Sequence, residues 1–381
     1  MSTAPCIRYL RDYIAIPSVN PMRRSDIPPE IAGEARYAVH LREQLRGLGL
    51  DAELVGPKER PSVVAEARTA GARETVLVAS HLDTVPVDGM EIDPFDPRLE
   101  GGRVYGRGAC DTKGGMAALV EALGRVLPRG TLRCNLVLVG EADEELSSIG
   151  AHAVMEHLGE RKPDWVLATE PTGLRVVSHH KGVAHARLHA TGVACHASNP
   201  GAGRNAIVAL ARAVLALDEL ARKLGQRQDP KLGAATLSVG VAGGGSAANI
   251  VPDEAWLLLD RRVLPGEDQE SIQAELERVL REHHISDVSV DWCKLEKGAL
   301  ATPADHPAVQ RCQRALAEAS LATEPDIASF GTDAGIFIQY GIPGVVLGPG
   351  SIEQAHSACE WVEARQVEQM TELLVKILEA S

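Results

Sequence analysis

Residues 75–83 read TVLVASHLD, an apolar run that ends in His81 and Asp83. The run reads as a β-strand. A strand delivers its side chains rigidly to one edge of a sheet, and ligand sites in α/β sheets form beyond the strands' carboxyl ends. A histidine and an acid at that edge therefore mark the place to look for chemistry.

Reading outward from this strand, further strand-like runs occur at 62–65, 135–140 and 165–169. Helices are predicted between them. Residues 36–48 carry Tyr37, Leu41, Leu45 and Leu48 at helical spacing, and 114–126 and 148–158 also read as helices. Alternation of this kind predicts an α/β fold, a mainly parallel sheet with helices on both faces. The pattern changes near Lys181. Residues 183–191 alternate apolar and polar, 204–224 form a long Ala/Leu-rich helix, 235–241 and 254–260 look like strands, and 269–282 like a helix. That β-α-β-β-α-β order predicts a ferredoxin-like α+β domain: a four-stranded antiparallel sheet with two helices on one face. It is expected as an insertion at 178–297, within a catalytic domain made of 1–177 and 298–381. The second part of that domain is expected to hold a helix at 306–319, a strand at 344–348 and a last helix at 364–380. The stretch AGGGSAA, 242–248, is expected to be a loop passing close to a ligand.

The 381 residues suffice for two domains and a sizeable core. With 45% apolar and 24% charged residues the chain has an ordinary globular composition, and only 3% aromatic residues make its core aliphatic. A formal net charge of -13 argues against nucleic acid as a partner, because phosphate binding needs basic clusters. No apolar run approaches a membrane span and no secretory signal is evident, so the membrane is not an expected partner. The seven cysteines are dispersed and form no CxxC pair, which favours reduced thiols in a cytoplasm. Cys110 and Cys359, beside the candidate motifs, are read as buried thiols.

The chemistry-bearing residues recur at successive strand ends. Asp83, two residues beyond His81, faces the same side of an extended chain and is placed to hold the second imidazole nitrogen. Asp111 lies in GRGACDTKGG, where glycines allow tight backbone geometry. The loop matches neither GxGxxG nor a phosphate loop, which excludes a dinucleotide-binding oxidoreductase. An aspartate in such a loop can bridge two metals with its two oxygens. Glu144 and Glu145 follow the run 135–140. Adjacent carboxylates repel unless positive charge lies between them, and a metal pair resolves this, with Glu145 a ligand and Glu144 a general base. Glu170, before Pro171, ends another strand, and His356 lies in a loop after a glycine-rich turn. Singly, each also fits a solvated loop; together, two imidazoles and several carboxylates suit a pair of divalent ions, zinc by preference, in a hydrolase. His196, in CHASNPGAGRN, sits in a loop of the inserted domain. His179 and His180 are given structural roles, and His152 and His157 a helix surface.

Taken in order, SHLDTVPV, YGRGACDTKGG, GEADEE, ATEPTG, HASNP, NIVPDE, DRRVLPGED, GTDAG and GIPGVVLGPGSIEQAHS resemble the M20 metallopeptidases and amidohydrolases almost end to end. That family includes acetylornithine deacetylase, succinyl-diaminopimelate desuccinylase, carboxypeptidases of the G type and aminoacylase-1. The resemblance implies a dizinc centre, with cobalt or manganese as substitutes. His81 and Glu170 would hold one ion, Glu145 and His356 the other, and Asp111 would bridge them. It makes Glu144 the general base, Asp83 the residue that orients His81, and His196 an oxyanion donor from a partner subunit's lid. Arg262 and Asn249 would meet the substrate carboxylate, and Gly331 and Thr332 would line the same pocket. The inserted domain would serve as lid and dimerisation module of a homodimer. Two positions depart from the common pattern. Cys359 stands where relatives often carry Asp or Asn before the glutamate, and Glu170 leans toward the desuccinylase and carboxypeptidase branches. The expected function is hydrolysis of an N-acyl amino acid or small peptide bearing a free carboxylate. The alternatives are a glutamate-type carboxypeptidase or dipeptidase and, outside enzymes, a catalytically silent dimeric scaffold.

Overall fold

The computed structural model describes residues 3–380. The chain divides into two compact units. One runs through Ser178 and takes up Leu300–Ala328 and the chain from Thr332 onward; the other comprises His179–Ala299 with Ser329–Gly331.

The strand Thr75–His81 is buried on both faces from Val76 onward, which is why its apolar residues run on without alternation. It lies parallel to Asn135–Glu141 on one side and to Trp165–Ala168 on the other, with His81 level with Glu141. Gly344–Val346 continues the parallel set beside Trp165–Ala168. These four central strands are parallel. Ser62–Ala67 and Asp51–Val55 extend one margin antiparallel, and Val177 pairs antiparallel with Val346 at the other. The strands 51–55 and 62–67 form a hairpin, whose two strands run antiparallel to each other. Helices Ala35–Gly47, Gly114–Arg129 and Ala364–Glu379 pack their apolar stripes into one aliphatic core with Leu41, Leu45, Leu119, Leu123, Leu373 and Leu374. The helix Pro5–Ile14, absent from the sequence-based expectation, joins that core through Leu10 and Ile14.

In the second unit the antiparallel order is Thr236–Gly244, Glu254–Val263, Gly182–Thr191, Val288–Lys297. Ala184, Ala186, Leu188 and Ala190 point inward at every second position, against Leu217 and Leu220 of the helix Ala206–Leu224 and Leu276 of the helix Gln269–Glu282. Asn205 caps the first helix through Val208 N, and Asp268 and Ser271 form a capping box on the second. Ala242–Gly244 belongs to the edge strand, so only the later part of the expected 242–248 loop is a loop. Its glycines had hidden a strand, because backbone pairing to Trp256 and Ala255 needs no side chain there. Among the described residues no helix is long and apolar enough to cross a membrane.

Candidate active site

Each strand of the parallel set ends at the same edge of the sheet. His81 is the last residue of its strand and is 1% exposed. Its Nε2 lies 2.8 Å from Asp111 Oδ1 and 3.9 Å from Glu170 Oε2. The other oxygen of Asp111, Oδ2, lies 3.3 Å from His356 Nε2. His356 Nε2 is also 3.1 Å from Glu145 Oε2. One carboxylate thus stands between two imidazoles, with Glu170 on the first side and Glu145 on the second. His356 takes a left-handed backbone, φ 58, in the 351–360 loop, a conformation that a non-glycine residue adopts at some cost in strain. Glu170 is seated by close backbone approach: a Cβ on Gly348 would fall 2.4 Å from the Glu170 carbonyl oxygen, so only glycine fits there.

The second imidazole nitrogen of His81 meets the Asp83 backbone rather than the expected carboxylate. His81 Nδ1 lies 2.9 Å from the Asp83 backbone carbonyl oxygen, and the nearer carboxylate oxygen is 3.6 Å away. A proton on Nδ1 donated to that carbonyl leaves Nε2 unprotonated, as a ligand requires. The Asp83 carboxylate accepts instead from Glu144 N at 3.1 Å, Glu145 N at 3.2 Å and Asn20 Nδ2 at 2.8 Å. Asn20 Nδ2 also donates to Asp143 Oδ1 at 2.9 Å. Asp143 in turn receives Arg60, which is paired with buried Glu34. Asn20, Glu34, Arg60 and Asp143 were missed in the sequence. Asp143 alone carried a signal, standing inside the acidic stretch 141–145.

Carboxylates crowd both imidazoles, and each shifts the others. Burial works against protonation of His81, yet Glu170, the hydrogen bond to Asp111 and the nearby Asp83 carboxylate outweigh it and hold the imidazole well above its ordinary range. Hydrogen bonds to Asp111 and Glu145 lift His356 to about 10. Burial and the neighbouring Asp111 push Glu145 up to about 7. Asp111 resists burial through its bonds to His356 and His81 and stays below the usual carboxylate range. Both Nε2 atoms face carboxylate oxygens, the surround that favours a bound cation. Metal ions held by these residues would relieve the carboxylate repulsion. His81, Asp111 and Glu145 bring one ligand atom each within 4.8 Å of one another, close enough for metal ligation around Asp111. The donor set, imidazole nitrogen plus carboxylate oxygen, suits a divalent transition metal.

Glu144 is 8% exposed and begins the pair held by Asp83. Cys110 is buried and Cys359 only half-buried, against the expectation for the latter. His180 is buried with Nδ1 2.9 Å from the Lys181 carbonyl oxygen, and burial lowers it to about 4. His157 lies 3.3 Å from Glu53. His152 is half-buried on the Tyr340 hydroxyl rather than a plain surface residue. In the second unit, Cys195–His196 pairs with Ile250–Val251, and Ala197 N donates to the Asn249 carbonyl at 2.9 Å. That ladder brings the exposed His196 and Asn249 together. Arg262 lies on the outer face of the sheet, with Nε 3.0 Å from Asp260 Oδ1. Gly331 belongs to this second unit, whereas Thr332, which follows it, is buried in the first.

The model of peptidase family M20/M25/M40 matches residues 77–380. Acetylornithine deacetylase of Proteus mirabilis is 30% identical over 382 residues, covering 98% of this chain and 96% of that protein. The enzyme of the same name from Myxococcus xanthus is 32% identical over 80% of each chain. These relatives belong to the branch from which Glu170 had leaned away. Among solved structures, an M20 family metallo-carboxypeptidase from Sulfolobus solfataricus superposes with a TM-score of 0.77 over 99% of each chain at 22% identity. A dinuclear metal-binding M20 peptidase from Bacillus subtilis does so with a TM-score of 0.71, at 15% identity, over 98% of this chain and 96% of that one. With its fold, its match over most of its length and its carboxylate-bridged donor set, the chain belongs to peptidase family M20/M25/M40 and is a metal-dependent hydrolase.

Proposed function

We propose that this hydrolase cleaves the amide bond of an N-acyl amino acid with a free carboxylate. The observation that carries the reading is the Asp111 carboxylate with one oxygen on His81 and the other on His356, beside the Glu144–Glu145 pair. The end-to-end similarity to acetylornithine deacetylases supports an acyl amino acid over a longer peptide. His81 and Glu170 would hold one zinc ion, Glu145 and His356 the other, and Asp111 both. Two such ions, when bound, supply Lewis acidity that polarises the amide carbonyl and acidifies a water molecule.

The chain's own residues then divide the work. Glu144, kept in place by Asp83, accepts the proton of the attacking water as its oxygen adds to the amide carbon. The same carboxyl gives that proton to the amide nitrogen as the C–N bond breaks, so a carboxylic acid and a free amine leave and Glu144 is regenerated. His196, supplied by the second unit of a partner subunit, would donate to the oxyanion of the tetrahedral intermediate. Arg262 would bind the substrate carboxylate with its planar fork, assisted by Asn249, and Gly331 and Thr332 would line that pocket. The second unit would act as lid and as the dimerisation surface of a homodimer.

Side-by-side hydrolysis of N-acetylornithine, N-succinyl-diaminopimelate, an N-acyl glutamate and a set of dipeptides tests the proposal. Preferential cleavage of N-acyl amino acids supports it. Cleavage of dipeptides with no activity on any N-acyl amino acid would overturn it in favour of a peptidase.

A further inference from the structure

The loop that carries Asp111 is irregular. Gly106 and Gly108 take φ 141 and 83, and Ala109–Lys113 makes a single distorted turn. Such a backbone cannot satisfy its own amides, and unpaired buried N–H groups are costly. Here they converge on one side chain. Glu360, 0% exposed, accepts with Oε1 from Cys110 N at 2.9 Å and Asp111 N at 3.1 Å. Its Oε2 accepts from Gly108 N at 3.0 Å and from Arg107 Nη1 at 2.8 Å. The Glu360 carbonyl accepts from Gly106 N at 3.1 Å.

The same short segment carries His356, whose Nε2 addresses Asp111 Oδ2. Residues 356–360 therefore touch the bridging aspartate twice, by a side chain at its carboxylate and by a side chain at its backbone. Antiparallel pairing of Trp361–Glu363 with Arg103–Tyr105 fixes the register of the two segments. We propose that Glu360 is a positioning residue for the metal pair: by clamping the 106–111 backbone it sets where the two Asp111 oxygens stand relative to His81 and His356. The inference rests on the metal-centre reading given above but needs nothing of the proposed substrate.

Glu360→Gln keeps the shape and leaves one acceptor oxygen, so an amide NH2 must face either Arg107 and Gly108 or Cys110 and Asp111. Metal-stripped full-length wild type and variant are titrated with cobalt(II) by calorimetry, followed by circular dichroism and by steady-state kinetics at rising cobalt(II). The expected result is a folded variant whose cobalt(II) affinity falls by about 10–100-fold, as for residues that hold metal ligands. Its kcat, low at limiting cobalt(II), recovers toward wild type in excess metal, while KM changes little. A purely structural role predicts no such rescue. A folded variant with wild-type cobalt(II) affinity overturns the inference. Should Glu360→Gln not fold, Glu360→Asp, which retains both oxygens on a shorter arm, is judged by the same criterion. Wild type that binds no cobalt(II) would instead remove the metal-centre reading, which keeps the two failures apart.

Discussion

In the first unit His81, Asp83, Asp111 and Glu170 are buried, Glu145 is half-buried and the loop residue His356 is exposed, and the Asp111 backbone is held by a further buried acid. In the second unit His196 and Asn249 are exposed and Arg262 is half-exposed. His196 is held by Ser198 Oγ at 2.7 Å, and Arg262 by Asp260, each only two residues away. Residues that hold ions need placement to a fraction of an ångström, which a packed, bonded surround supplies for most of this set. Residues that meet a substrate keep polar groups near water and trade precision for access. The difference predicts that substitutions in the first unit damage chemistry or stability, and substitutions in the second damage recognition while leaving the fold intact.

The sharpest break in that comparison is Glu144→Ala. Turnover should fall by about 10²–10⁴-fold with metal content unchanged, as for loss of a general acid–base. Steady-state kinetics with metal analysis checks this, and retained activity would remove Glu144 from its role. Next comes Asp83→Ala, which strips the acceptor from Glu144 N, Glu145 N and Asn20 Nδ2. Stability should drop by about 2–4 kcal/mol in urea denaturation, because buried donors lose a charged partner. An unchanged midpoint would mean that the loop is held by something else. Arg262→Ala tests the opposite case. Its KM for an N-acyl amino acid should rise by about 10–100-fold, at unchanged melting temperature, from loss of a charge-assisted contact. The substrate amide, lacking the carboxylate, should show almost no such change.

The smallest effect is a pH dependence in the second unit. His185 is raised to about 9 by its bond to Asp260 and then Glu296. Arg262 and Lys294 pair with the same two carboxylates. A folded value above the ordinary imidazole value means that the stabilisation is full below about pH 6.5 and is lost as pH rises through about 9. The His185 side chain is 46% exposed, so screening holds the effect below about 1 kcal/mol. Urea denaturation at pH 6 and pH 9.5 should show a wider gap for wild type than for His185→Gln. Equal gaps would assign the pH dependence elsewhere.

The strand ends were legible because an apolar run stops abruptly at a polar side chain, as at His81 and Glu170. Asp111 was legible through its glycines, and the second sheet through strict alternation at Ala184–Ala190. The supports were not. Glu360 reaches a loop 249 positions away in sequence, and Asn20 reaches Asp143 across 123. Contacts of that separation leave no local pattern in spacing or hydropathy. The antiparallel margins escaped for a related reason: Asp51–Val55 is partly exposed and carries acids, and only its pairing with Ser62–Val64 and their neighbours makes it a strand.

The central claim is that a carboxylate-bridged metal pair is the working site, and metal content measured by mass spectrometry alongside amide hydrolysis, before and after chelation, tests it most directly. The account predicts about two divalent ions per chain, with activity lost on chelation and regained with zinc. Full hydrolysis by metal-free protein would contradict it.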